Sequence, residues 1–68
     1  MTPAAYTAAL RAAGVPADLP LLEQDRHAAR LLRLDARTTR RYRSGDAKIP
    51  GPVQVALHCL ASRRKENA

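Results

Sequence analysis

Apolar residues along this chain recur at helical spacing in segments that proline and glycine separate. The first segment has one apolar stripe with positions at i, i+3, i+4 and i+7. Its members are Tyr6, Ala9, Leu10 and Ala13. Thr2 followed by Pro3 is a typical helix start, and Gly14 is a typical stop. The pattern predicts a helix from Pro3 to Ala13.

The last segment carries a wider apolar face. Its residues are Val53, Ala56, Leu57, Leu60 and Ala61. Their spacing predicts a helix from about Pro52 to Ser62. We expect a loop over residues 46–52, which contain two prolines and a glycine, and a frayed polar tail over 63–68.

Two short helical patterns lie close together in the middle of the chain. The first is predicted to run from about Glu23 or Asp25 to Leu32, after a proline-containing connector over residues 15–22. Arg33 and Leu34 are predicted to form the turn.

The second pattern follows at once. Asp35 is placed to cap it by accepting a hydrogen bond from its first turn, and it ends near Ser44, with Gly45 as the stop. Only Thr39 and Tyr42 have the spacing of inward positions on this helix, and four arginines occupy other positions.

No strand-like alternation or internal repeat is present, so we predict an all-α fold. At 68 residues it is one domain, a small bundle of four or five helices. The single cysteine excludes an intrachain disulfide and fits a reducing compartment. No signal peptide is visible, and no apolar run approaches the roughly 18 residues of a membrane span. The expected location is the cytoplasm of a bacterial host.

The net charge of +6 is concentrated in one part of the chain. Residues 25–50 carry eight lysines and arginines against three aspartates, a net of +5. Such a bias indicates a polyanionic partner, for which nucleic acid is the obvious candidate, although a solvated basic surface is the simpler alternative. Two helices joined by a tight turn, the second one basic, are typical of a helix-turn-helix that places a recognition helix in the DNA major groove.

The same stretch resembles the helix-turn-helix of Cro and C1-type phage repressors, over roughly residues 23–61. The small, apolar and inward positions of that motif fall on Ala28, Ala29, Leu32, Leu34, Thr39 and Tyr42. The family usually has glycine in the turn, where the backbone enters the left-handed region, and this chain has Arg33 there. The resemblance implies a lambda repressor-like fold.

The resemblance also implies which residues contact DNA. The implied base-reading residues are Ala36, Arg37 and Arg41. An arginine guanidinium can donate hydrogen bonds to guanine O6 and N7 at once, and alanine can contact a thymine methyl group. The spacing puts Arg37, Arg40, Arg41 and Ser44 on one face. Contacts to phosphate or groove are expected from Arg26, Arg30, Thr38, Arg40, Arg43, Ser44 and Lys48. Some arginines could instead pair with the three aspartates of this region.

We therefore expect a sequence-specific regulator, most simply an autorepressor that reads an inverted-repeat operator in double-stranded DNA as a homodimer. The last helix is the expected dimer face. Its candidate interface residues are Val53, Val55, Ala56, Leu57, Cys59 and Leu60. The run from Pro50 to Ala61 is also similar to the end of anti-CRISPR-associated repressors of phages.

Other function classes receive less support. His27 and His58 lie far apart, and Cys59 has no orienting partner, so no metal, catalytic or cofactor site is expected, and no small-molecule ligand is evident. Two tyrosines without Phe or Trp give no aromatic platform for single strands. The alternatives are a helix-turn-helix module that inhibits an acidic protein partner and a non-specific nucleic-acid binder.

Overall fold

The computed structural model describes residues 1–66 and contains four α-helices over that range, with no strand. They are α1 (Pro3–Ala13), α2 (Leu21–Leu32), α3 (Ala36–Ser44) and α4 (Gly51–Glu66). The predicted all-α class is confirmed for this part of the chain. Helix α2 packs on α3, and α1 packs on both α3 and α4.

The ends of α1 and α3 are set by local hydrogen bonds, as predicted. The Thr2 hydroxyl accepts from the Ala5 amide at 3.1 Å, and an Asp35 carboxylate oxygen accepts from the Thr38 amide at 2.7 Å. Gly14 and Gly45 end these helices in the left-handed region, with φ of 110° and 88°. Both helices therefore have the predicted bounds.

The predicted start of α2 was too late. The helix begins at Leu21, where the Gln24 amide donates to the Pro20 carbonyl oxygen at 2.9 Å. The Gln24 side chain is buried, and its amide nitrogen donates to the Leu19 carbonyl oxygen at 2.7 Å. One side chain thus ties the connector to the helix, and the prolines of the connector hid this start from pattern analysis.

The last helix is also longer than predicted. It begins at Gly51 and continues past Ser62 to Glu66, so the first part of the predicted frayed tail is helical. The remainder of that predicted tail, residues 67–68, lies outside the described residues.

The core lies where α1, α3 and α4 meet. Tyr6 is fully buried, Leu57 is 1% exposed, and the rings of Tyr6 and Tyr42 pack edge to face with centroids 5.8 Å apart. The buried apolar cluster comprises Tyr6, Leu10, Val15, Ala28, Tyr42, Ile49 and Leu57. With so few large side chains, we expect a fold of modest stability.

The structure corrects the predicted dimer face at Leu57. This residue lies in the core, so it is not available to a partner. Val53 also packs against the core, and Ala56 and Leu60 are half-buried. Of the predicted interface residues, only Val55 and Cys59 are exposed, and Val55 is exposed by 63%.

Leu57 and Val55 offer a matched pair on one helix. We expect Leu57→Ala to lower the free energy of unfolding by about 3 kcal/mol, because it empties a buried site. Val55→Ala should change it by less than about 0.5 kcal/mol. Urea melts followed by circular dichroism measure both, and equal losses would contradict this packing of α4.

Tyr6 provides a test at alkaline pH. Burial, followed by the charge of Asp25, raises the pKa of Tyr6 from 10.0 to about 12. The folded state therefore holds this proton more tightly than the unfolded state, so its contribution to stability is present below pH 10 and is lost as pH rises towards 12. The Tyr6 hydroxyl has no hydrogen-bond partner among the described residues.

We expect Tyr6→Phe to leave stability at pH 7 within about 1 kcal/mol of the parent, because no hydrogen bond is lost. Between pH 10 and 12 the variant should lose less stability than the parent. Thermal melts across this range measure the difference, and parallel pH profiles would show that the Tyr6 proton plays no part.

Candidate functional site

A cleft of about 520 Å³ opens between the first turns of α2, the outer side of α3 and the loop that follows α3. Its lining residues are Leu22, Asp25, Ala36, Arg37, Arg40, Arg41 and Asp46. The three residues predicted to read bases, Ala36, Arg37 and Arg41, thus lie in one cleft.

The two sides of α3 have different roles. Thr39 is fully buried and Tyr42 is 7% exposed, as their spacing predicts. The residues on the other side are exposed: Arg37, Arg40, Arg41 and Ser44. A nine-residue helix therefore packs through a narrow stripe and presents guanidinium groups to solvent.

Asp25 fixes α3 against α2 at two points. Its carboxylate accepts from Arg43 Nε at 2.9 Å and from a second Arg43 guanidinium nitrogen at 3.0 Å, a bidentate ion pair. Its backbone carbonyl oxygen accepts from the Thr39 hydroxyl at 2.8 Å. The Asp25 side chain is 3% exposed, so solvent screens this pair only weakly.

Arg43, a predicted phosphate contact, has an ion-pair partner within the fold. Its hydrogen bonds to the Asp25 carboxylate raise the pKa of the Arg43 guanidinium, and its side chain is only 24% exposed. The alternative that some arginines pair with the aspartates of this region applies to Arg43. Arg43 therefore holds α3 against α2 and, because Asp25 balances its charge, is a weaker candidate for a phosphate contact than the unpaired arginines.

The turn between α2 and α3 has a left-handed residue at Arg33, the position where the resembled family usually has glycine. Arg33 adopts φ 56° and ψ 44°, the left-handed region, at a cost of roughly 1 kcal/mol relative to glycine. The Leu34 amide donates to the Ala29 carbonyl oxygen at 2.9 Å, and Ala29 is 6% exposed. The small side chain of Ala29 is therefore buried beside the turn that connects α2 to α3.

Two other predicted contact residues lie on the outer side of α2. Arg26 is half-exposed and pairs with Glu23 at 3.0 Å, a surface ion pair that contributes about 0–1 kcal/mol. Arg30 is exposed and has no ion-pair partner within residues 1–66. Arg30 is therefore the freer of these two cations.

Three predicted contact residues lie at the edges of α3. Thr38 is half-buried, and its amide is engaged by the Asp35 cap. The Ser44 hydroxyl lies 3.2 Å from the Arg41 carbonyl oxygen and 3.1 Å from an Asp46 carboxylate oxygen. Lys48 is exposed but lines a separate depression of about 250 Å³ beside the start of α1.

The charge of the cleft is positive because its three arginines outnumber its one carboxylate without an ion-pair partner within residues 1–66. Asp25 is paired with Arg43, whereas Asp46 accepts a hydrogen bond from the neutral Ser44 hydroxyl and keeps its charge. Beside the cleft, the Thr38 amide lowers the pKa of the Asp35 carboxyl, and the nearby Arg37 charge adds to that shift. Arg37, Arg40 and Arg41 make no ion pair with the described residues.

Such a surface can bind an anion or an array of hydrogen-bond acceptors. Each guanidinium offers two parallel N–H donors, which match a phosphate, a carboxylate or the O6 and N7 edge of guanine. Within residues 1–66 no group of three His, Cys, Asp or Glu side chains could hold a metal ion. No described helix has the length and apolar character needed to cross a bilayer.

Two residues of this site are not predicted by the sequence pattern. Leu22 lines the cleft and is 55% exposed, and it was assigned to the connector because the start of α2 was placed too late. Asp25 was considered only as one of several acidic neighbours. Its partner Arg43 is 18 residues away, a separation that no local spacing rule connects.

The role of Asp25 can be tested by truncation. We expect Asp25→Ala to lower the free energy of unfolding by about 2 kcal/mol, because it removes two charge-assisted hydrogen bonds and leaves the partly buried Arg43 without its counter-charge. Asp18→Ala, at an exposed position, should change it by less than about 0.5 kcal/mol. Urea melts compare the two, and similar values would contradict the ion pair as a main support of α3.

Comparison with known proteins identifies no relative. No family model, curated protein or solved structure matches this chain. The ligand of the cleft is therefore inferred from the geometry and charge of the chain itself.

Proposed function

We propose that this protein is a sequence-specific DNA-binding transcriptional regulator in which α2 and α3 act as a helix-turn-helix. The observation that carries the proposal is the position of Ala36, Arg37 and Arg41 in one exposed cleft, on a helix whose opposite side is held by buried contacts. A recognition helix needs both properties, because its readout side chains must project into the major groove from a fixed backbone.

The cleft supplies the chemistry of base readout. Arg37 and Arg41 can each donate two hydrogen bonds to guanine, and a correct pairing of this kind discriminates by about 1–3 kcal/mol. Ala36, at the first position of α3, can contact a thymine methyl group. Three such contacts read only a few base pairs.

Exposed cations around the cleft support contacts to the DNA backbone. Arg40 is exposed at the cleft, and Arg30 is exposed on the neighbouring helix. Contacts to phosphate position the protein without reading sequence, and each makes binding more sensitive to salt. Arg43 contributes by holding α3 in place through its pair with Asp25.

A homodimer on an inverted-repeat operator is the natural form of this activity, because one helix pair reads too few base pairs for useful specificity. Paired helix-turn-helix units read half-sites about 34 Å apart, one turn of the duplex. Occupation of a promoter by such a dimer would repress transcription, including that of its own gene. Val55 and Cys59 are the exposed members of the predicted dimer face.

The experiment is a selection of binding sites from random duplex DNA, followed by fluorescence-anisotropy titration of the selected site and a scrambled duplex. We expect an inverted repeat to be enriched and to bind about a thousandfold more tightly than the scrambled duplex. Equal binding to both duplexes would indicate a non-specific binder and would contradict the proposal.

Arg41 and Arg11 provide a matched comparison on the selected site. Arg41→Ala should weaken binding to it by about 5- to 150-fold, the equivalent of one lost bidentate base contact. Arg11→Ala should have a much smaller effect, because Arg11 lies at the end of α1, outside the cleft. Equal losses would show that α3 does not read bases.

One observation favours a second candidate, an acidic protein partner. Leu21 and Leu22 are exposed by 57% and 55%, and Leu22 lines the cleft together with its arginines. An exposed apolar side chain next to guanidinium groups also suits a segment that carries both apolar and acidic side chains. Absence of binding to any duplex at low salt would favour this candidate.

A further inference from the structure

Three helices of this chain end at a residue in the left-handed backbone region, and only one of those residues is not glycine. Gly14 ends α1 with φ 110°, and Gly45 ends α3 with φ 88°. Arg33 ends α2 with φ 56°, and it is the one non-glycine residue with positive φ among the described residues. A side chain at such a position is strained, whereas glycine adopts it readily.

The backbone therefore gives no reason for an arginine at the α2–α3 turn. Residues held in unfavourable backbone regions tend to mark functional positions, where the side chain supplies something that glycine cannot. Arg33 is exposed, and its guanidinium has no hydrogen-bond or ion-pair partner within residues 1–66. The side chain is thus exposed and makes no polar contact within these residues that would explain its presence.

The surroundings of Arg33 are cationic. Arg30 lies one turn before it on α2, and Arg37 lies in the first turn of α3 just after it, and both are exposed. Asp35 is the nearest carboxylate in sequence, and it is engaged in capping α3 through the Thr38 amide. The turn therefore carries exposed cations both before and after Arg33 in the chain.

A purely intramolecular explanation is available and can be separated by experiment. A cation at a helix C-terminus interacts favourably with the helix dipole. Arg30 already occupies the last turn of α2, so this contribution is present without Arg33. If the dipole were the reason for Arg33, removal of its charge would destabilise the fold.

We propose that Arg33 is a DNA backbone contact, which binds a phosphate at the α2–α3 turn. This inference rests on the proposed function. It adds a contact residue at the turn position where helix-turn-helix motifs of the resembled family usually have glycine. The guanidinium donates hydrogen bonds to phosphate oxygens, and the interaction is independent of base sequence. The strained backbone is retained because glycine at this position would lack the contact.

The test compares three variants on the selected operator and in thermal melts. Arg33→Gly removes both the charge and the strain, Arg33→Gln removes only the charge, and Arg33→Lys retains both. For the first two, we expect the slope of log affinity against log salt to become shallower by about 0.9, the value for one phosphate. The lysine variant should keep the slope of the parent.

In the glycine variant, we expect the melting temperature to rise while the affinity for the operator falls. We expect Arg33→Gly to melt several degrees higher than the parent, about 4 °C, because the left-handed position is relieved. Arg33→Gln should melt close to the parent. Higher stability together with weaker, less salt-sensitive binding is the combined result that a residue kept only for structure would not produce.

Two results would overturn the inference. A parent that binds its operator tightly while Arg33→Gly keeps the full salt slope would show that Arg33 does not contact phosphate. Lower stability of both uncharged variants would show that the arginine is kept for the end of α2. Absence of binding by the parent to any duplex would instead overturn the proposed function, and this inference with it.

Discussion

The position of α3 depends on one residue of α2. The backbone oxygen of Asp25 accepts a hydrogen bond from the Thr39 hydroxyl, and its carboxylate accepts two from the Arg43 guanidinium. The helix α3 is therefore held at two points one helical turn apart. Two attachment points define the direction of a helix, whereas a single one leaves it free to pivot. Burial of this ion pair costs desolvation energy, and its bidentate geometry offsets that cost. Its main effect is on orientation.

This attachment separates the arginines of α3 into two kinds. Arg43 neutralises a buried carboxylate, and Arg37 and Arg41 remain exposed in the cleft. Without Arg43, the Asp25 charge would lie uncompensated in the same cleft and would weaken its attraction for an anion. The internal ion pair thus supports both the geometry and the electrostatics of the surface.

The remaining helices act as a platform for this pair. Tyr6 of α1 packs edge to face on Tyr42, which links the first helix to the inner side of α3. Leu57 of α4 completes the core and leaves the opposite side of that helix, with Val55, exposed. In so small a core each of these contacts carries a large share of the stability.

Local chemistry made several elements predictable from the sequence alone. The caps at Thr2 and Asp35 and the stops at Gly14 and Gly45 were correct, because each depends on hydrogen bonds within a few residues of chain. The inward stripe of Thr39 and Tyr42 followed from helical periodicity. The left-handed backbone at Arg33 agrees with what the resemblance implied for that position of the turn. The sequence therefore determined the class of fold, both ends of α1 and of α3, and the outer face of α3.

Tertiary structure decided which of several equivalent residues took each role. The sequence contains many arginines near Asp25, and the crossing of α2 and α3 brings Arg43 to it rather than Arg40 or Arg41. The apolar face of α4 was evident, but whether Leu57 met the core or a partner depended on how α1 packs against it. Each of these outcomes depends on contacts between segments far apart in sequence, which local spacing cannot specify.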